Sequence, residues 1–232
     1  MYDCREGMKT LLELGCGVGN AVFPLLEENK DLFVIAVDMA SQGIQWLKQH
    51  PMYSCGRCEA HVVDATKDSL PPSVYIDGGV DLVLLQFCLS AVAPQQMAQV
   101  AQVAAGALKP GGKILLRDYG RYDEAQLRFG PGSRLGDNSF VRQDGTTSYF
   151  FSLRDLKGLF CGRAEARTGT EGDRCNPNPN PSAAGSLLDE WWGEGAGLEV
   201  EELYFVKRQY ANRGQGVSRR RVWTHGKFRK PG

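Results

Sequence analysis

Residues 11–20 read LLELGCGVGN, and residues 34–38 read VIAVD. The first stretch is an apolar run that stops at three alternating glycines, Gly15, Gly17 and Gly19. The second is another apolar run, and it closes on an acid, Asp38, about twenty residues beyond the turn. Two strands joined by a glycine turn and a helix account for that order. Glycines in the turn let the backbone approach a ligand, because no Cβ stands in the way and positive φ costs little. Asp38 at the end of the next strand can accept hydrogen bonds from both hydroxyls of a ribose. A dinucleotide fingerprint would read G-x-G-x-x-G, whereas the run here is G-x-G-x-G. The glycines alone would also suit an ordinary strand–turn–helix connection; Asp38 in its place argues against that.

Outward from this turn the hydrophobic period alternates between strand and helix. Strands are expected over 10–14, 33–38, 60–64, 81–87 and 113–117, with helices over 21–28, 41–50 and 95–108. Strands separated by helices imply parallel pairing with right-handed crossovers. The LKPGG at 108–112 ends a helix and turns into a strand, since Pro110 cannot continue the helix. A further helix is expected over 153–160, starting from Ser152, and two closing strands over 198–207 and 217–227. Between them, 161–197 is rich in Gly, Pro, Asn, Arg and Glu and contains NPNPNP. Such a composition buries too little apolar surface to order itself, so it reads as a disordered surface insertion, with Trp191 and Trp192 as possible docking points. The expected organisation is one domain made of 1–160 and 198–232.

The charge is neutral in total and uneven in place. Nine Lys or Arg and no acid lie from Leu203 onward; taking those nine from 27 leaves 18 bases against 27 acids before it, a balance of −9. A basic tail on an acidic body suits a polyanionic partner, or simply a solvated terminus. No apolar run of 18 residues exists to span a membrane. Seven cysteines without a regular framework fit a reducing compartment, and a cytoplasmic location is expected, with the nucleus as the alternative.

The G-x-G-x-G turn with Asp38 resembles the first motif of class I methyltransferases. That resemblance implies an α/β, Rossmann-like sheet of seven mostly parallel strands with helices on both faces and a closing antiparallel pair. It also implies S-adenosylmethionine as cofactor, with Gly15, Gly17 and Gly19 under its amino-acid end and Asp38 on the ribose. Asp64 falls where such folds place an acid near the adenine amino group, although a strand-end carboxylate is often only a turn residue. Gln86 and Phe87 close the fourth strand beside the switch point where open α/β sheets bind ligands.

Three further runs are more specific: LLQFCLSAVAP at 84–94, LRDYGRYDEAQLRF at 116–129 and NSFVRQDGTTSYFF at 138–151. With RVW at 221–223, they resemble the methyltransferase-like family that makes 3-methylcytidine in the anticodon loop of tRNA. The resemblance implies tRNA as partner, with an aminoacyl-tRNA synthetase or another protein as a conceivable second one. Members normally carry a segment ahead of the first strand that helps to cover the cofactor. This chain begins about ten residues before that strand, so the segment is expected to be missing and activity of the chain alone to suffer. A protein or small-molecule methyltransferase, or an inactive paralogue acting as a binding subunit, are the rival readings.

Cytosine N3 carries a lone pair and needs no base to become a nucleophile. The enzyme must supply in-line approach, worth roughly 7–11 kcal/mol, and accommodate positive charge passing to the base. Asp118 at the end of the fifth strand is the candidate for that charge; the alternative is a structural carboxylate held by Arg117 or Arg121. Tyr119 could stack on a flipped base, or pack the core. Arg142, Arg208 and Arg213 are candidate phosphate contacts, which position RNA without specifying it. Attraction of RNA is otherwise expected from the basic terminal stretch, Arg219, Arg220 and Arg221 included. Cys55 and Cys58 form CGRC near His50 and His61, but no second CxxC completes a zinc set, and no metal is expected.

Overall fold

The computed structural model describes Arg5, residues 7–162, 194–212 and 217–232. Its centre is a seven-stranded sheet in the order β3-β2-β1-β4-β5-β10-β9. The strands are β1 (Lys9–Leu14), β2 (Leu32–Asp38), β3 (Cys58–Val62), β4 (Val80–Gln86), β5 (Leu108–Tyr119), β9 (Glu199–Asn212) and β10 (Val217–Arg229). The first five pair in parallel, and β10 runs antiparallel to both β5 and β9. This is the expected class I arrangement. β2 is buried along six of its seven residues, which is why LFVIAVD reads as an unbroken apolar run.

Two apolar layers flank the sheet. Helices α1 (Val22–Glu28) and α2 (Ser41–Gln49) cover β1, β2 and β3 through Val22, Leu26, Ile44 and Leu47. Helices α3 (Pro94–Ala107) and α5 (Leu153–Cys161) cover the opposite face through Met97, Val100, Leu156 and Phe160, which stacks on Phe228 at 4.5 Å. Pro94 opens α3, where its missing N–H costs nothing. Ser152 caps α5 in a reciprocal box with Asp155.

Several expectations shift. Phe87 lies outside β4, and Asp64 lies two residues beyond β3. The LKPGG segment is taken into β5 as an irregularity, pairing stepping from Val80–Leu108 to Leu82–Lys113. The closing hairpin is longer than the apolar pattern suggested, because its outer half is polar and gives no hydrophobic period. The expected insertion is narrower at both ends: Cys161 closes α5, and the Ala196 and Leu198 N–H groups donate to Leu159 and Phe160 carbonyls. Trp191 and Trp192 lie outside the described residues.

A second sheet was not foreseen. The short helix α4 (Glu124–Leu127) leads into β6 (Arg134–Gly136), β7 (Ser139–Val141) and β8 (Thr147–Tyr149), antiparallel in that order. Three-residue strands are too short to show a period. The small sheet hangs on the end of β5: the Phe151 N–H donates to the Tyr119 carbonyl and the Arg121 N–H to the Phe151 carbonyl. Thr147 donates to the Ala91 carbonyl. Those bonds bring the 84–94, 116–129 and 138–151 runs to one end of the main sheet.

Candidate cofactor and base site

Strand order reverses between β1 and β4, and the glycine turn sits there. Gly15, Gly17 and Gly19 all have positive φ, at 76°, 54° and 91°. A Cβ on Gly15 would meet the Cys88 sulfur at 2.6 Å, and one on Gly19 would meet the Phe23 ring at 2.5 Å. Gly15 and Gly19 are therefore glycines for packing. Gly17 has nothing within 4 Å of that position, so it is the one that faces open space.

Asp38 does more than wait for a ribose. One carboxylate oxygen accepts from the Gly17 N–H at 2.7 Å, the other from the Ala40 N–H at 2.8 Å. It fixes the turn at the end of β2 and still has lone pairs to offer, since each oxygen can accept twice. Asp64 forms its own turn, accepting from the Thr66 N–H and hydroxyl and pairing with Lys67 at 3.1 Å. Those bonds hold its carboxyl below the usual carboxylate range. This is the turn-residue alternative in geometry. The preceding Val63 N–H donates to the Asp38 carbonyl, so the turn borders the same mouth.

Glu13, which the sequence reading passed over, is buried beneath the glycine turn at 3% exposure, and its Oε2 has no partner. Burial, then the Asp38 charge, pushes its carboxyl up to about 8. Its signal was a lone acid inside the apolar LLELG. An open Gly17, a ribose-competent Asp38 and an orphaned buried carboxyl oxygen make a cradle that fits a ligand with an amino-acid end and a ribose.

Across the switch point, Phe87 takes a positive φ of 52° after β4. Its ring lies 5.1 Å from Tyr119 and 5.8 Å from Trp223. Gln86 is exposed at the end of β4 and pairs in register with Arg117. Tyr119 is half-buried and approaches Phe150 at 5.7 Å. The guanidinium of Arg142 lies 5.4 Å from the Tyr119 ring centre and that of Arg221 lies 5.6 Å from it. This aromatic and cationic cluster joins all three specific sequence runs and RVW.

Asp118 is not where a substrate could meet it. It is 0% exposed, and its oxygens accept from the Ser90 N–H at 3.0 Å and the Tyr119 N–H at 2.8 Å. Burial pushes its carboxyl up to about 6, against the lowering effect of those bonds. It is a structural carboxylate, held by Ser90 and its own neighbour rather than by Arg117 or Arg121. It ties the turn Leu89–Ala91 to β5.

The basic tail also reads differently in three dimensions. Arg219 pairs with Glu124 at 2.9 Å, and Arg221 with Asp123 at 2.9 Å. Lys227 and Arg229 pair with Glu199, Glu201 and Glu202, and Lys230 donates to the carbonyls of Ala105 and Leu108. Much of the positive charge is thus spent on the acidic body. Arg142 donates to the Ser148 hydroxyl at 3.1 Å. Arg208 is exposed on β9 directly opposite Arg221. Arg213 lies outside the described residues. Of the CGRC pair, Cys55 is exposed while Cys58 points into the core, where burial pushes its thiol up to about 12.

The fold and the glycine turn define a class I methyltransferase domain. The family described as "Methyltransferase domain" matches residues 12–114. Among solved structures, a SAM-dependent methyltransferase from Methanosarcina mazei superposes with a TM-score of 0.62 at 18% identity, covering 100% of this chain and 98% of that one. The N-methyltransferase NodS from Bradyrhizobium japonicum, in complex with S-adenosyl-L-homocysteine, has a TM-score of 0.51 at 15% identity, covering 97% and 80%. At such identities these likenesses speak to fold. Sequence relatives are more particular. The tRNA N(3)-cytidine methyltransferase METTL6 of Mus musculus is 41% identical over 234 residues, covering 100% of this chain and 71% of that protein. The METTL2 protein of Danio rerio, of the same description, is 38% identical over 226 residues, covering 95% and 53%. The chain belongs to the tRNA N(3)-cytidine methyltransferase family.

Proposed function

We propose that this protein transfers a methyl group from S-adenosylmethionine to N3 of a cytidine in the anticodon loop of tRNA. The observation that carries the reading is the cluster of Phe87, Tyr119, Trp223, Arg142 and Arg221 beside the glycine turn, in a chain of this family. The cofactor supplies a methyl group already activated on a sulfonium. The protein's part is to place the base. Gly17 and Asp38 hold the cofactor end of the site, and the Phe87 turn stands between that end and Tyr119. An incoming base needs an aromatic face, and the place over Tyr119 is shared by two guanidiniums. Arg221 is fixed by a buried carboxylate, whereas the Arg142 guanidinium, among the described residues, donates to a serine hydroxyl. Arg142 is therefore the side chain that yields to the base and turns toward phosphate. The aromatic faces suit a base that becomes cationic as N3 is alkylated. Asp118 acts as a positioning residue, holding the turn that carries Phe87 and Cys88.

The direct test is to incubate the purified chain with tRNA and methyl-labelled cofactor and to digest the RNA to nucleosides. Label is expected in 3-methylcytidine. Label in protein, in another nucleoside, or nowhere would overturn the reading.

A further inference from the structure

A cavity of about 600 Å³ opens between the end of α4 and the turn after β7. Its walls include Arg128, Phe129, Ser133, Arg142, Gln143 and Asp144. It is separate from the glycine turn, and neither the cofactor nor the methylated base accounts for it. Phe129 is half-buried and backed by Phe140, stacked on it at 4.8 Å and 16°, so its ring is a rigid surface. The opposite wall is a tight turn, closed by the Arg142 N–H on the Thr146 carbonyl and the Gly145 N–H on the Arg142 carbonyl. Asp144 is held within that turn by the Thr146 N–H and hydroxyl.

The chemistry of these walls is that of a nucleotide. An aromatic ring offers a stacking surface that any base accepts. Two guanidiniums, Arg128 and Arg142, stand against one carboxylate, Asp144, which leaves a local excess of positive charge for a phosphate. On a chain with no net charge, such an excess must be local to attract a polyanion. Arg142 also fixes where the cavity lies in the site: the same side chain lines it and reaches the Tyr119 ring at 5.4 Å. The cavity therefore lies next to the place over Tyr119.

We propose that the cavity receives the nucleotide adjacent in the RNA to the methylated cytidine, its base against Phe129 and its phosphate between Arg128 and Arg142. The inference rests on the tRNA reading above and extends it to a second nucleotide subsite.

The test uses the full chain and three anticodon stem-loop RNAs: intact, abasic on the 5′ side of the target cytidine, and abasic on its 3′ side. Filter binding should show one abasic RNA bound by wild type about tenfold more weakly than the intact one, the scale of one lost base–aromatic stack. Phe129→Leu should bind the intact RNA with that same loss and should no longer distinguish it from that abasic RNA. Arg128→Ala, at an exposed position, should keep the base dependence and lower the salt slope by about 0.7. Equal wild-type affinity for all three RNAs would overturn the proposal. So would a Phe129→Leu protein weakened equally on intact and abasic RNA, which would mark Phe129 as structural only. Free nucleoside monophosphates bound as tightly as the stem-loop would overturn it in favour of a small-molecule site. Methylation is read separately by nucleoside mass spectrometry. The expected binding pattern without 3-methylcytidine would overturn the methylation reading while supporting the subsite.

Discussion

Arg221 grips Asp123 from across the sheet: its Nε lies 2.9 Å and 3.1 Å from the two carboxylate oxygens of a residue 98 positions earlier, and that carboxylate is fully buried. Asp123 also accepts from the Val222 and Ala125 N–H groups, the latter as the cap of α4. Arg221→Ala leaves a buried charge short of its cation. It should lower the unfolding free energy by about 2 kcal/mol, less than for a fully buried pair because Arg221 is itself partly exposed. Urea denaturation measures it; an unchanged midpoint would mean that the pair contributes nothing. Reversing Arg219, Arg220 and Arg221 together would thus damage the fold before it tested RNA binding. Arg142 and Arg208 are the better probes.

Asp38→Ala should weaken S-adenosylmethionine binding by about 1–3 kcal/mol, the cost of losing the half-buried carboxylate that holds the Gly17 and Ala40 N–H groups. Asp38→Asn should rescue little, because both oxygens accept from N–H groups and an amide sets a donor against one of them. Titration calorimetry on both variants decides; an Asn variant of wild-type affinity would show that the turn does not depend on the second acceptor.

Glu13 gives the fold a pH dependence. Its carboxyl stands at about 8 in the folded protein against 4.5 ordinarily, raised first by burial and then by Asp38. Between those values the native state holds a proton that the unfolded chain has lost. Stability therefore falls as pH rises through that window, by at most about 1.4 kcal/mol per pH unit. Glu13→Gln should flatten the fall. Melting temperatures from pH 5 to pH 8 that decline in parallel for both proteins would place the titrating group elsewhere.

Asp118 can be told from a group acting on the base. It fixes the turn through Ser90, and Cys88 of that turn lies where a Cβ on Gly15 would collide. Asp118→Ala should strand the buried Ser90 N–H, at about 1–3 kcal/mol, and the part-buried Tyr119 N–H at less, and should weaken cofactor binding in the absence of any RNA. Cofactor affinity unchanged in that variant, with methylation lost, would restore Asp118 as the group that meets the cytosine.

What could be read from the chain alone followed from where periodicity is strong. The buried parallel strands announce themselves because both faces are apolar, as in LFVIAVD, and the glycine turn because glycine readily takes the positive φ found at three alternating positions, 15, 17 and 19. Asp38 followed from strand length. The small sheet was invisible because three-residue strands have no period. A carboxylate at a strand end looks the same in sequence whether it faces a ligand or satisfies backbone N–H groups, and Asp118 and Asp64 both accept from such groups. The basic tail misled because charge was counted along the chain, whereas Asp123, Glu124 and the acids of β9 are neighbours only after folding. Nothing in the sequence marked Arg221 as the partner of Asp123, or Arg219 as that of Glu124.

The long segment between α5 and β9 should be replaceable. The chain leaves at Gly162 and returns at Gly195 with the two backbones touching: a Cβ on Gly195 would lie 2.3 Å from the Gly162 nitrogen, and one on Gly162 would lie 2.4 Å from the Glu194 oxygen. Both residues have positive φ, 106° and 70°. The two ends are thus already joined by native contacts, and whatever lies between closes a loop whose cost rises by only about 0.6 kcal/mol per doubling of length. Replacing residues 163–193 with a few Gly and Ser residues should leave the melting temperature nearly unchanged. Gly195→Ala in the intact chain should do the opposite, since its Cβ would meet backbone atoms of Gly162 and Gly158 and its φ is unfavourable to any side chain. Differential scanning calorimetry on the two variants separates the cases. A large fall for the shortened chain would show that the segment, with Trp191 and Trp192, holds part of the core; a wild-type transition for Gly195→Ala would show that the two ends do not need to touch.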